Sequence, residues 1–90
     1  MQKVDPFYAL ADPNRRYLLE ALKKGPQTVN ILAQGLPVSR PAVSQHLKAL
    51  LDCGFVNVTN QGTRRYYSIS QDGFGKLSAW LDQFRVEPAN

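Results

Sequence analysis

Ninety residues, 43% apolar and 20% charged, suit one small domain, residues 1–90, with an expected radius of gyration of roughly 12 Å and no room for a second. Eleven Lys plus Arg against seven Asp plus Glu leave a net charge of +4, which favours a polyanionic partner. A lone cysteine, Cys53, excludes an intrachain disulfide framework and any Cys-x-x-Cys centre, and no apolar run reaches the roughly 18 residues of a membrane helix.

The opening MQKVDPFYAL lacks the apolar stretch of a secretion signal, so a cytoplasmic protein without membrane insertion is expected. Residues 1–3 and 87–90 read as loose ends. A chain of this size buries only about 60 to 65% of its unfolded surface, so an interface between copies adds useful core.

Asp5-Pro6 and Asp12-Pro13 each set a capping carboxylate before a proline, which starts a helix because the first helical position needs no N–H donor. One turn of helix is expected over 7–10 and a longer helix over 14–24. Leu18, Leu19 and Leu22 line the buried side of the longer one, and Gly25-Pro26 ends it. Thr28 caps a third helix carrying Val29, Leu32, Ala33 and Leu36 at helical spacing, and residues 35–38 make a brief turn. Ser39 then caps a helix over 40–52. Its apolar stripe is Val43, Leu47, Leu50 and Leu51, and Pro41, Ser44, Gln45 and Lys48 point the other way.

After Cys53-Gly54 the period changes from helical to two. Residues 55–59 and 64–69, rich in Val, Thr, Tyr and Ile, flank the turn-forming Asn60, Gln61, Gly62 and Thr63 and predict a β-hairpin. Ser70 caps a last helix over 71–84, on which Phe74, Leu77, Leu81 and Phe84 form a stripe widened by Trp80.

The fold class is therefore mainly α with a small β-hairpin, in the order helix, helix, helix, helix, hairpin, helix. That is the winged helix-turn-helix plan, with the helix-turn-helix at about 28–52, the wing at about 55–69 and a dimerisation helix at about 71–85. A reading helix must fit the major groove of B-DNA, which calls for a polar outward face with small residues near its start. Arg40 can pair with a guanine edge and Gln45 with adenine, Ser39 and Ser44 can donate to phosphate or base, and Lys48 suits phosphate. Gly62 permits a tight tip, and Arg64 and Arg65 suit the negative minor groove, although strand alternation also allows the stem of Arg65 to cover the core.

Several residues carry two readings. Arg15 and Arg16 suit either backbone phosphate or a structural role beside Asp12. His46 reads as a packing or hydrogen-bonding residue and Cys53 as a small half-buried hydrophobe. The stripe of Phe74, Leu77, Trp80, Leu81 and Phe84, joined by Phe7 and Leu10, reads as a seam that pairs with a copy of itself.

The stretches FYALADPNRRYLLEAL and TVNILAQGLPVSRPAVSQHLKALLDCGFVNVTNQGTRRYYSIS resemble the ArsR family of bacterial winged helix-turn-helix repressors. The most specific parts are ADPNRR, SRPAVSQHLKALLDCGFV and GTRRYYSI. The resemblance implies a homodimer joined through the first and last helices, a cytosolic repressor, and base contacts from Ser39, Arg40, Pro41, Ser44 and Gln45. It also implies a metal-independent member. Relatives that sense arsenic or cadmium carry paired cysteines in the helix that here holds Val29, Asn30, Ile31 and Leu32, and zinc or nickel sensors carry Asp and His ligands on the last helix, where residues 71–84 contain no histidine.

The expected partner is double-stranded DNA bearing an inverted-repeat operator, bound by two reading helices about 34 Å apart. No cofactor is expected and no effector is named by the residues. A protein-interaction module using the same surface is the other class of reading. An enzyme is not expected, because there is no nucleophile paired with a base, no phosphate-cradling Gly-rich loop and no metal set.

Overall fold

Five side chains that the sequence offers as helix caps all take that position in the computed structural model, which describes residues 5–85. The carboxylate of Asp5 accepts from the Tyr8 amide at 2.8 Å and starts α1 (Pro6–Leu10). Asp12 accepts from the Asn14 amide at 2.7 Å and the Arg15 amide at 3.3 Å, starting α2 (Pro13–Ala21). Thr28 and Ser39 cap α3 (Val29–Gln34) and α4 (Arg40–Asp52) through the Ile31 and Ala42 amides. Ser70 caps α5 (Gln71–Asp82) through the Asp72 amide. The first two helices begin one residue earlier than expected because Pro6 and Pro13 themselves occupy the first turn. The terminal segments read as loose ends lie outside the described residues.

The helix expected over 14–24 is α only to Ala21, and Leu22–Lys24 tightens into a 3-10 turn that closes on Gly25. The last helix likewise stops at Asp82, and Phe84 sits in a terminal turn closed by its amide donating to the Leu81 carbonyl at 3.0 Å. The sheet has one more strand than the hairpin predicted: β1 (Gln27–Thr28) precedes β2 (Val56–Gln61) and β3 (Arg64–Ile69). All pairings are antiparallel in the order β1-β3-β2, with Thr28 opposite Tyr66 and Val58 opposite Tyr67. The first wing strand starts one residue later and runs two residues further than expected, to a Gln61–Arg64 pair, while β3 has the expected bounds, so the tip is Gly62-Thr63 alone. Gly62 takes φ +62°, which a two-residue turn with glycine first requires.

Leu18, Leu22, Leu32, Val43, Leu47, Leu50, Phe55 and Val56 form the fully buried centre. Leu51 does not join it. It lies one residue, about 100°, round the helix from Leu50 and remains 37% exposed. Beyond α4 the chain turns in a Schellman motif: Gly54, at φ +81°, donates to Leu51 and Phe55 donates to Leu50, so Phe55 is delivered into the core. Its ring meets that of Phe74 edge-on at 4.7 Å and so holds α5 to the body. The molecule extends over 54 × 30 × 23 Å, and its radius of gyration of 14.9 Å exceeds the roughly 12 Å of a compact chain of this length.

Candidate nucleic-acid interface

On α4 the side chains of Arg40, Pro41, Ser44, Gln45 and Lys48 are all exposed, and their spacing confines them to roughly 140° of the helix circumference. Opposite them Val43, Leu47 and Leu50 are buried, so packing of the apolar face dictates which residues face solvent. Ser39 is exposed too, but its hydroxyl already accepts from the Ala42 amide at 3.2 Å.

Between α4 and the wing lies a cleft of about 860 Å³. Arg40, Ser44 and Lys48 line one wall and Thr63, Arg64 and Arg65 the other, and no carboxylate lines it. The structure thus brings together five of the eight sequence-derived DNA residues. Ser39, Pro41 and Gln45 do not line the cleft. Arg65 is exposed next to the wing tip and lines the cleft rather than joining the core.

The sequence reading missed the rest of the cleft. Thr28, Val29, Asn30 and Ile31 at the start of α3 line it, with Leu51 and Tyr67. The exposed Ile31 beside a capping threonine was the available signal. Lys48 also has a partner that the sequence reading did not assign: its Nζ donates to Asp52 at 2.9 Å, an exposed pair one turn apart on the same helix. Such a pair adds little stability, yet it offsets part of the positive charge of the cleft.

Arg15 is not available to phosphate. It is 8% exposed, and its guanidinium donates from Nε to the Ala9 carbonyl and from Nη2 to the Tyr8 carbonyl, both at 2.8 Å. Both carbonyls belong to the last turn of α1, where the Tyr8 oxygen also accepts from the Ala11 amide at 3.2 Å, so Arg15 caps that helix with a cation. Its third nitrogen lies 3.3 Å from Nδ1 of His46. Arg16 remains exposed while donating to the Leu10 carbonyl at 2.6 Å.

Cys53 is buried, and its Sγ donates to the Asp5 carbonyl at 3.2 Å. Burial pushes its thiol pKa up, and the nearby charges of Asp5 and Asp52 act in the same direction. Among the described residues no cluster of three or more His, Cys, Asp or Glu is placed to hold a metal, and no helix is long and apolar enough to cross a membrane.

The seven residues assigned to a seam divide in two. Phe74, Leu77 and Leu10 turn partly inward against the core of their own chain. Phe7, Trp80, Leu81 and Phe84 remain exposed and form an aromatic ladder, with Phe7 edge-on to Trp80 and Trp80 tilted on Phe84, each at 4.8 Å between centroids.

A model of the bacterial regulatory proteins of the arsR family matches residues 12–58, the segment from the cap of α2 into the first strand of the wing. The chain belongs to the ArsR family. As an ArsR-family member it is a DNA-binding transcriptional regulator of the winged helix-turn-helix type. It is similar to the HTH-type transcriptional regulator Rv2034 of Mycobacterium tuberculosis, with 50% identity over 76 residues that cover 84% of this chain and 71% of the relative. It is 31% identical to the transcriptional repressor SdpR of Bacillus subtilis over 78 residues, 87% of each chain. Among solved structures, a possible transcriptional regulator for arsenical resistance superposes with a TM-score of 0.83 at 40% identity, covering 94% of this chain and 88% of that one. A homodimeric winged helix-turn-helix domain from Mycobacterium bovis, a possible ArsR-family regulator, gives 0.71 at 29% identity, covering 87% and 72%.

Proposed function

We propose that two copies of this ArsR-family chain join along Phe7, Trp80, Leu81 and Phe84, bind an inverted-repeat operator and repress transcription in the cytoplasm by occluding a promoter. The observation that carries this reading is the cleft in which the exposed polar face of α4 meets Arg64 and Arg65 of the wing with no carboxylate on either wall. One wall suits a major groove and the other the adjacent minor groove. In this reading Arg40 pairs with guanine and Gln45 with adenine, Pro41 and Ser44 allow close approach, and Ser39 and Lys48 contact phosphate.

The aromatic ladder supports dimerisation, as does the homodimeric neighbour, and repression is what the name of SdpR states of that relative. Independence from a metal effector is supported by the donor set: the one cysteine is buried against a carbonyl and the one histidine faces Arg15.

Selection of bound duplexes from a random pool, followed by footprinting, tests the assignment. Arg40→Ala loses about 1–3 kcal/mol of discrimination at one base pair, whereas Lys48→Ala weakens all duplexes alike. Equal losses on selected and random DNA remove Arg40 from the reading role. A monomer in sedimentation that ignores palindromic duplexes at low salt overturns the operator reading, and a salt-insensitive protein complex favours an interaction module instead.

A further inference from the structure

The Arg15–His46 contact is absorbed neither by DNA binding nor by dimerisation. Arg15 lies on α2, His46 lies on α4 beside Gln45, and the carbonyls that hold Arg15 belong to α1. The same α1 carries Phe7, which stacks on Trp80 of α5. One buried guanidinium therefore links the helix under the aromatic ladder to the helix that reads bases. We propose that Arg15 and His46 are positioning residues for DNA reading, joined only while His46 is neutral, so that acidification unlinks α4 from the end of α1 and weakens operator binding. This rests on α4 being the reading helix.

Two hydrogen bonds at 2.8 Å, to Ala9 and Tyr8, and the face of the Tyr8 ring 4.6 Å away fix the plane of the guanidinium. Nη1 is the one guanidinium nitrogen without a carbonyl partner, and it lies against Nδ1 of His46. A guanidinium has five donors and no acceptor. Nδ1 must then present its lone pair, and the ring proton of neutral His46 sits on Nε2. A second proton would go on Nδ1, replacing the acceptor with a donor and setting two cations 3.3 Å apart beside a buried side chain.

The groups that face the imidazole act in opposite directions. Arg15 from α2 repels the charged ring. Asp12 at the start of α2, whose carboxyl is lowered in part by the charge of His46, attracts it. Tyr8 of α1 faces it through Arg15. On α4 itself the neighbours one turn away, Ala42, Val43, Ala49 and Leu50, carry no charge. Protonation therefore turns the ring from Arg15 toward Asp12 and removes the link.

The sign of the effect separates this proposal from ordinary electrostatics. An imidazolium added beside a phosphate backbone tightens DNA binding, whereas loss of a positioning contact weakens it. His46 is the only histidine of the chain, so its ring nitrogens can be followed by NMR without assignment.

The test measures the affinity of the full chain for one duplex selected from a random pool, at about pH 8 and about pH 5.5, the range in which imidazoles titrate, at constant ionic strength. The wild type should lose about tenfold on acidification, the scale of one hydrogen bond to a charged group. His46→Asn, which keeps an acceptor near the Nδ1 position and does not titrate, should bind like the neutral wild type at both pH values. His46→Leu should bind about tenfold more weakly at both. In the free protein at pH 8 the nitrogen shifts should report the Nε2–H tautomer, and Arg15→Gln should abolish that preference. Affinity that rises on acidification, an equal pH slope in His46→Asn, or the Nδ1–H tautomer overturns the proposal. If no duplex is bound at pH 8, the reading of α4 falls and this proposal with it, whereas the tautomer measurement alone decides whether the contact exists.

Discussion

Alanine in place of Gly73 and alanine in place of Gly75 put the same methyl group into α5 two residues apart, and the structure gives them opposite signs. At Gly73 an added Cβ would stand 2.9 Å from Cγ and Cδ1 of Phe55 and 3.0 Å from the Cys53 carbonyl oxygen. The Phe55 ring is fully buried and locked edge-on against Phe74, so it has no free direction in which to yield. Overpacking of this kind costs about 1–3 kcal/mol, and the helix propensity of alanine over glycine returns up to about 1 kcal/mol. The net loss is about 1–2 kcal/mol. At Gly75 an added Cβ meets nothing within 4 Å, so only the propensity gain of about 0.5–1 kcal/mol remains. Unfolding entropy near 2.1 cal/mol/K per residue, over 90 residues, is about 0.2 kcal/mol/K. Gly73→Ala should therefore melt about 5–10 °C below the wild type and Gly75→Ala about 3–5 °C above it. Far-UV circular dichroism reads both, at one fixed protein concentration because assembly shifts the midpoint. If Gly73→Ala melts at or above the wild type, the contact with Phe55 does not explain the glycine.

Asp52→Asn frees Lys48 and removes a carboxylate from α4, so on the proposed reading affinity for selected and random DNA alike should rise by about 1.5- to 5-fold, and unchanged salt titrations would show that the pair is not felt by DNA. Cys53 should resist alkylation by iodoacetamide at mildly alkaline pH until the protein unfolds, because burial and the nearby carboxylates disfavour its thiolate, and prompt labelling of the folded chain contradicts that placement. Burial raises the pKa of Asp12, but hydrogen bonds from the Asn14 and Arg15 amides and the charges of His46 and Arg15 outweigh it and leave the carboxyl below its ordinary value of 3.8. A depressed folded-state pKa stabilises fully above the unfolded value and is lost as pH falls through the folded one, so stability should decline below about pH 4, and Asp12→Asn, which still caps, should flatten that part of the profile.

Caps, the apolar faces of α2 and α4 and the hairpin were legible because each depends on residues within one or two turns of one another. Asp5, Asp12, Thr28, Ser39 and Ser70 bond to amides two or three positions on, a distance that sequence spacing displays directly. Strand β1 was not legible, since two residues have no period and Gln27 and Thr28 pair with Tyr67 and Tyr66 far along the chain. The buried role of Arg15 was hidden for another reason: its partners are two backbone carbonyls and a histidine 31 positions away, and carbonyls leave no mark in a sequence. Of the candidate interface, the polar face of α4 and the wing arginines could be read, because an amphipathic helix states its solvent side. The contribution of Leu51 could not, because an apolar residue at helical spacing is ordinarily assigned inward, whereas Ile31, outside the apolar stripe of α3, was legible as an apolar residue left facing solvent.

The two-residue strand β1 has a mechanical consequence. Because β3 is hydrogen-bonded on both edges, the root of the wing is riveted to Thr28, the residue that also launches α3. Since α3 packs in turn on α4, the wing and the helix proposed to enter the major groove are held at a fixed spacing, like the jaws of a rigid caliper. Duplexes whose groove-to-groove distance differs from the gauge must deform to fit, so pliable base steps between the two contacts should be favoured even where no side chain touches them.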